Sequence, residues 1–185
     1  MSTSVQTPHS TESLPAGTWQ LDPVHSQVGF SVEYIVGTFH GSFSPAAATL
    51  EVGDDGSAVL TGSVPVQGVK VQDENLTAHL QAPDFFDAER TPDITFRSTR
   101  IERANDDITI AGDLTIKGTT QAVEAKGTIT DPAEDPFGGV RFGLRLEATV
   151  DRTKFGLNWN NPLPNGEPSL ANDVALTAEL YLVKA

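Results

Sequence analysis

Three groups of residues in this 185-residue chain have types that could do chemistry. Asp22, His25 and Ser26 are the types of a nucleophilic triad, in which an acid orients a base and the base activates a hydroxyl. All three fall in the single stretch Asp22-Pro23-Val24-His25-Ser26. Neighbours in one turn do not readily set orienter, base and nucleophile in series, so the stretch reads as a turn held by Asx and Ser hydrogen bonds. His25, His40 and His79, with Asp87, are ligand types for a divalent metal, but no H-x-x-x-H spacing puts two of them on one element. Asp84, Asp87 and Glu89 bracket Phe85-Phe86, and paired carboxylates are the equipment of glycoside hydrolysis. That chemistry needs one carboxyl with a raised pKa, and in an acidic chain such clusters are normally solvated. No catalytic residue and no metal ligand is therefore assigned, no cofactor is required, and the chain is not expected to be an enzyme.

The elements that must position any site are strands. From Gln27 to Tyr34 the chain alternates without a break, with Val28, Phe30, Val32 and Tyr34 on one face. Alternation returns at Leu60, Val64 and Val66, at Ile94 and Phe96, and through Ile108, Ile110, Gly112, Leu114 and Ile116. It continues in Val123, Ala125, Gly127 and Ile129, then in Val140, Phe142, Leu144, Leu146, Ala148 and Val150, and ends in Val174, Leu176, Ala178, Leu180 and Leu182. Gly53-Asp54-Asp55-Gly56 and Lys117-Gly118 are turn signals between them. Only Asp73 to Leu80 breaks the rhythm: Asp73 is a cap type, and Leu76 and Leu80 are four apart, so a short helix is expected there as a lid. About eight antiparallel strands with one apolar face close into a barrel or split into a sandwich. Glycines inside the strand patterns favour closure. The expected fold is all-β, a single closed antiparallel barrel with one short helix near residues 73–80.

Composition sets limits on function. With 25 acidic against 12 basic side chains the net charge is −13, which repels phosphate polyanions and anionic surfaces, so nucleic acid is not an expected partner. Without cysteine there is no disulfide scaffold and no thiolate site. The first seventeen residues contain no Lys or Arg and no apolar run; they read as a disordered tail, residues 1–17, and the absence of a secretory signal leads us to expect a cytoplasmic location. No stretch is long enough and apolar enough to insert stably in a membrane as a helix.

Several of these residues together resemble a known family. Asp22-Pro23-Val24-His25-Ser26 with Phe30, Gly41-x-Phe43, His79-Leu80 with Phe85-Phe86-Asp87, Pro92 and Phe96, the hairpin from Gly112 to Thr120, and Arg152-x-x-Phe155-Gly156-Leu157 follow one another in the order of the YceI-like, polyisoprenoid-binding family. The resemblance spans residues 18 to 185. It implies a lipocalin-like barrel with an elongated apolar tunnel for the tail of an isoprenoid, isoprenoid quinone or similar lipid, and no chemistry.

The expected tunnel lining is Val28, Phe30, Val32, Tyr34, Phe39, Phe43, Leu80, Phe85, Phe86, Phe96, Ile110, Leu114, Phe142, Leu144, Leu146, Phe155 and Trp159. Arg152, Lys154 and Asn158, just before the last strand, are the expected head-group contacts, arginine because its fork suits a phosphate. Strands of about ten residues make a barrel about 25 Å tall, which only a long tail would fill. The expected partner is one hydrophobic small molecule; a homodimer stays open. Two other readings also stay open: a lipid-modifying enzyme on the same barrel, and a barrel filled by its own side chains that serves as a structural or interaction module.

Overall fold

Period-two alternation puts apolar side chains on one face of nearly every strand, and closing the sheet on itself buries that face without leaving an edge. In chain order the elements are β1 (Gly17–Leu21), β2 (Gln27–Tyr34), β3 (Gly37–Phe43), β4 (Ala47–Val52), β5 (Ala58–Pro65), β6 (Val69–Lys70), the helix α1 (Glu74–Gln81), β7 (Asp93–Ala104), β8 (Asp107–Ile116), β9 (Thr119–Ile129), β10 (Ala133–Glu134), β11 (Val140–Asp151) and β12 (Leu170–Lys184). They come from a computed structural model that describes residues 13–185.

Among the described residues, eleven of the twelve strands make eight staves, and the two-residue β10 pairs with the start of β11. β1 and β2 lie along the same edge of β12, with Leu21 opposite Leu182 and Gln27 opposite Glu179, so they are one stave interrupted by the Asp22–Ser26 turn. β4 and β3 pair with β1 and β2 in the same order and form the second stave. β5 continues through a 3-10 turn into β6, which pairs with β3. β7, β8, β9, β11 and β12 follow as an antiparallel meander. The register from Arg141 opposite Val183 to Asp151 opposite Asp173 closes the ring. The expected closed barrel of about eight strands is what the chain forms. Among the described residues no helix is long and apolar enough to cross a membrane.

Two apolar clusters divide the interior by height. At the base, Trp19, Leu50, Leu60, Ile108, Ile110, Ile129, Phe142, Leu144 and Leu182 pack solidly, with the Trp19 ring edge-on to Phe142 at 4.7 Å. Leu14 belongs to this cluster and is 8% exposed, while the Trp19 indole N–H donates to the Pro15 carbonyl at 3.0 Å. Ordered packing thus begins before the expected tail boundary at residue 17. Residues 1–12 of that tail lie outside the described residues. The second cluster, toward the other end, includes Val32, Phe43, Val64, Leu80, Phe85, Leu114, Val150, Phe155 and Leu170 and surrounds a void.

Candidate ligand-binding cavity

The void is a cavity of about 440 Å3 in the upper half of the barrel, within the range of about 300–1,000 Å3 usual for sites that hold one small molecule. Its floor is made by Leu60, Ile110, Leu146 and Leu180, which are the upper members of the base cluster. Val28, Phe30, Val32, Phe39, Phe43, Phe96 and Leu114 line its walls. Leu76, His79 and Leu80 of α1 border it at the mouth, with Phe85, Phe86, Phe155, Leu157 and Trp159 from the neighbouring loops.

Two of the wall aromatics are placed by glycine. Phe30 stands directly opposite Gly41 on β3, and a side chain at Gly41 would collide with its ring. The Phe96 ring lies over Gly112, where β7 shifts register by a bulge between Ser98 and Arg100. With the glycines giving way, each ring lies along the wall, and Phe30 reaches Phe39 and Phe43 at centroid distances of 6.3 and 5.7 Å.

The lid forms where the sequence predicts a helix. The Asp73 carboxylate accepts the Leu76 N–H at 3.0 Å and starts α1, and Leu76 and Leu80, one turn apart, turn inward. Beyond the helix, Asp87 adopts a φ of +52°, and its carbonyl accepts both the N–H and the hydroxyl of Thr91, at 2.8 and 2.9 Å. That tight turn directs Phe85 and Phe86 into the barrel. His79, Phe85 and Trp159 form a triangle of rings at the mouth, with centroids 4.8, 5.4 and 5.4 Å apart.

Most of the residues expected to line a tunnel are brought together here; Phe142 and Leu144 are not. β11 starts at the base, so its first inward positions fall below the floor and pack in the base cluster, and only Leu146, Ala148 and Val150 reach the cavity. The expected head-group set is corrected as well. Lys154 and Asn158 are exposed and outside the lining. Arg152 borders the cavity but is 5% exposed, and its donors are already used. Nε gives to the Ala171 carbonyl at 2.8 Å, Nη1 to those of Leu157 and Trp159 at 2.6 and 2.8 Å, and Nη2 to that of Leu170 and to Asn172 Oδ1 at 3.3 and 3.4 Å. Burial lowers the guanidinium pKa, offset in part by Asp151. Arg152 therefore staples residues 157–172 over the mouth rather than offering a free fork. Asn160, which sequence reasoning passed over, does similar work: its side-chain oxygen accepts the Ser169 N–H and its amide donates to the Leu170 carbonyl, both at 3.0 Å. Leu60, Leu76, His79, Leu157, Leu170 and Leu176 were also missed as lining, although Leu60 and Leu176 lie on inward faces that the alternation already defines.

The groups with catalytic residue types do not converge on the cavity. Asp22 Oδ2 lies 2.7 Å from His25 Nδ1, but the Ser26 hydroxyl oxygen accepts the Tyr181 N–H, so the three make a turn on the outer wall and not a relay. The His25 hydrogen bond, set against desolvation, holds the Asp22 carboxyl below its usual value. Asp84 is exposed, 3.9 Å from His79. Among the described residues no three His, Asp or Glu side chains gather as a metal site.

Known proteins share this architecture. The crystal structure of Burkholderia cenocepacia BcnA superposes with a TM-score of 0.75 at 19% identity, covering 87% of this chain and 98% of that one. A polyisoprenoid binding domain from Saccharophagus degradans superposes with a TM-score of 0.69 at 9% identity, covering 90% and 98%. In sequence, a UPF0312 protein of Staphylococcus epidermidis is 27% identical over 164 residues, 86% of this chain and 94% of that protein. Protein YceI of Escherichia coli is 26% identical over 136 residues, 72% and 71% of the two chains. The profile of the YceI-like domain matches residues 19–182, all of the barrel from Trp19 to Leu182, and the chain belongs to the YceI-like family.

Proposed function

We propose that the protein holds the tail of one amphiphilic lipid, an isoprenoid, isoprenoid quinone or similar molecule, in the upper half of its barrel, and stores or carries it without altering it. The observation that carries this reading is the cavity itself, lined by aromatic and aliphatic side chains and bordered at its mouth by α1. Burying an isoprenoid tail there removes apolar surface from water on both partners. The description of the Saccharophagus domain as polyisoprenoid binding supports the same ligand class. Apart from Tyr34, the ionisable side chains bordering the cavity are His79, Glu147 and Arg152; Glu147 is exposed and Arg152 fully engaged, which leaves little to act as acid, base or nucleophile.

Mass spectrometry of an organic extract of the purified protein tests the reading. An isoprenoid or other long-tailed lipid, in near-stoichiometric amount, is expected. Phe30→Glu puts an unpaired carboxylate against that tail and is expected to empty the cavity. An extract without lipid, together with no binding of added isoprenoid alcohols, would refute the proposal. Fractionation of native cells checks the expected cytoplasmic location, which recovery outside the cytoplasm would overturn.

A further inference from the structure

Of the six large apolar side chains exposed among the described residues, three are consecutive: Tyr34, Ile35 and Val36, with 43%, 54% and 97% of their surfaces free. They end β2 and make the two-residue turn into β3, at the rim of the cavity. Tyr34 itself lines the cavity and pairs with Leu170, and the Ile35 N–H donates to the Ser169 carbonyl at 2.9 Å. Ile35 has a φ of +53°, which strains a β-branched residue and suits Gly, Asn or Asp. The tight turns at Gly53–Ser57, Asn105-Asp106 and Lys117-Gly118 carry polar residues and glycine, while the Asp135–Gly139 turn between β10 and β11 carries Pro136 and the exposed Phe137. From Tyr34 to Phe39 there is no charge, and Glu33 just before is capped by the Thr38 hydroxyl at 2.5 Å.

We propose that the Ile35-Val36 tip dips into a lipid surface of low charge and sets the mouth of the cavity against the reservoir from which the ligand enters. The inference rests on the lipid-holding reading above. A lipid surface fits better than a second protein because two turn residues and a tyrosine edge offer far less than the roughly 800 Å2 per partner of a stable protein interface. An uncharged turn can enter an apolar layer without desolvating an ion, and a tyrosine behind it suits the interfacial level. The net charge of −13 selects against anionic surfaces.

The test is flotation of the full chain with phosphatidylcholine vesicles, in parallel with binding of farnesol added as monomer. Wild type is expected to float with the vesicles, less so as phosphatidylglycerol is added. Val36→Asp should weaken vesicle binding at least tenfold and leave farnesol binding unchanged. Phe137→Asp, which alters another exposed apolar residue (93% free) far from the mouth, should change neither. Absence of vesicle binding by wild type, its survival in Val36→Asp, or an equal loss in Phe137→Asp would overturn the tip assignment. So would a wild-type dimer on size exclusion that Val36→Asp dissociates, since a second copy would then cover the tip. Farnesol binding tells the two failures apart: if it persists, only the tip is wrong, and if it is absent in wild type, the cavity reading falls and takes this one with it.

Discussion

Arg152 is a buried cation whose donors all go to carbonyl oxygens, four of the backbone and one of Asn172. Hydrogen bonds from a charged donor contribute about 1.5–3 kcal/mol each, and carbonyls left behind recover water only in part. Arg152→Ala is therefore expected to destabilise the fold by about 3 kcal/mol, and Arg152→Lys nearly as much, because an ammonium cannot reproduce the fork. Urea unfolding reads this as a lower midpoint at unchanged slope. A pure head-group contact would instead lose ligand affinity with stability intact, so the two roles separate in one pair of measurements. Arg141 is a different case, a surface arginine between Asp22 at 3.4 Å and Asp135 at 2.7 Å. Its hydrogen bond, followed by the Gly139 and Phe137 N–H groups, holds the Asp135 carboxyl below the ordinary 3.8. A carboxyl depressed in the native state binds its proton more readily when unfolded. Its contribution is thus present above about pH 4 and is lost as pH falls through the native value. Asp135→Asn is expected to flatten the stability profile on that acid limb and to leave its shape at neutral pH unchanged, as chemical denaturation at stepped pH would show.

At the scale of elements, α1 and the strand faces were legible because each rests on a local signal, a cap with leucines four apart or an unbroken alternation. The Gly53–Gly56 and Lys117-Gly118 turns were legible for the same reason. Less accessible was that β1 with β2, and β3 with β4, are single staves broken in the middle, since only their pairing with β12 and with each other shows it. Leu14 was missed because one apolar residue in a Ser, Thr and Pro segment has no period. Its burial in the base cluster leads to a prediction that splits the N-terminus. Removing residues 1–12, whose composition gives them no apolar face, is expected to leave the melting temperature nearly unchanged. Leu14→Ala is expected to cost about 2 kcal/mol, the low end for a buried leucine because the site is at the margin of the core. Thermal unfolding of the two variants side by side distinguishes them, and an equal drop in both would mean that the first twelve residues brace the barrel too.

Over the whole molecule the sequence tells which side chains point inward, but not at what height. Phe142 and Phe96 both lie on inward faces, and only the register of closure puts one under the floor and the other in the wall. A tunnel running the full height of the barrel was accordingly expected, whereas the lower half is filled, with Trp19 edge-on to Phe142 at its centre. This reduces the space for a tail and predicts a cutoff in chain length. Each methylene moved out of water contributes about 0.8 kcal/mol, roughly fourfold in Kd, while there is room for it. Across geraniol, farnesol, geranylgeraniol and longer isoprenoid alcohols, affinity is expected to climb steeply and then stop, because added units must stay in water. The floor residue that sets the stop is Leu146, 7% exposed and shared between cavity and base cluster. Leu146→Ala deepens the cavity where the tail ends, so the plateau should move to a longer chain even as the protein loses about 2–5 kcal/mol of stability. Phe142→Ala, two inward positions further down the strand, creates a void that Leu144 and Leu146 still separate from the cavity, and should cost stability without moving the plateau. Titration of the same alcohol series against the three proteins decides the point: an affinity that keeps rising through the longest alcohol, or a plateau that shifts with Phe142→Ala and not with Leu146→Ala, would put the floor at a different level from the one formed by Leu60, Ile110, Leu146 and Leu180.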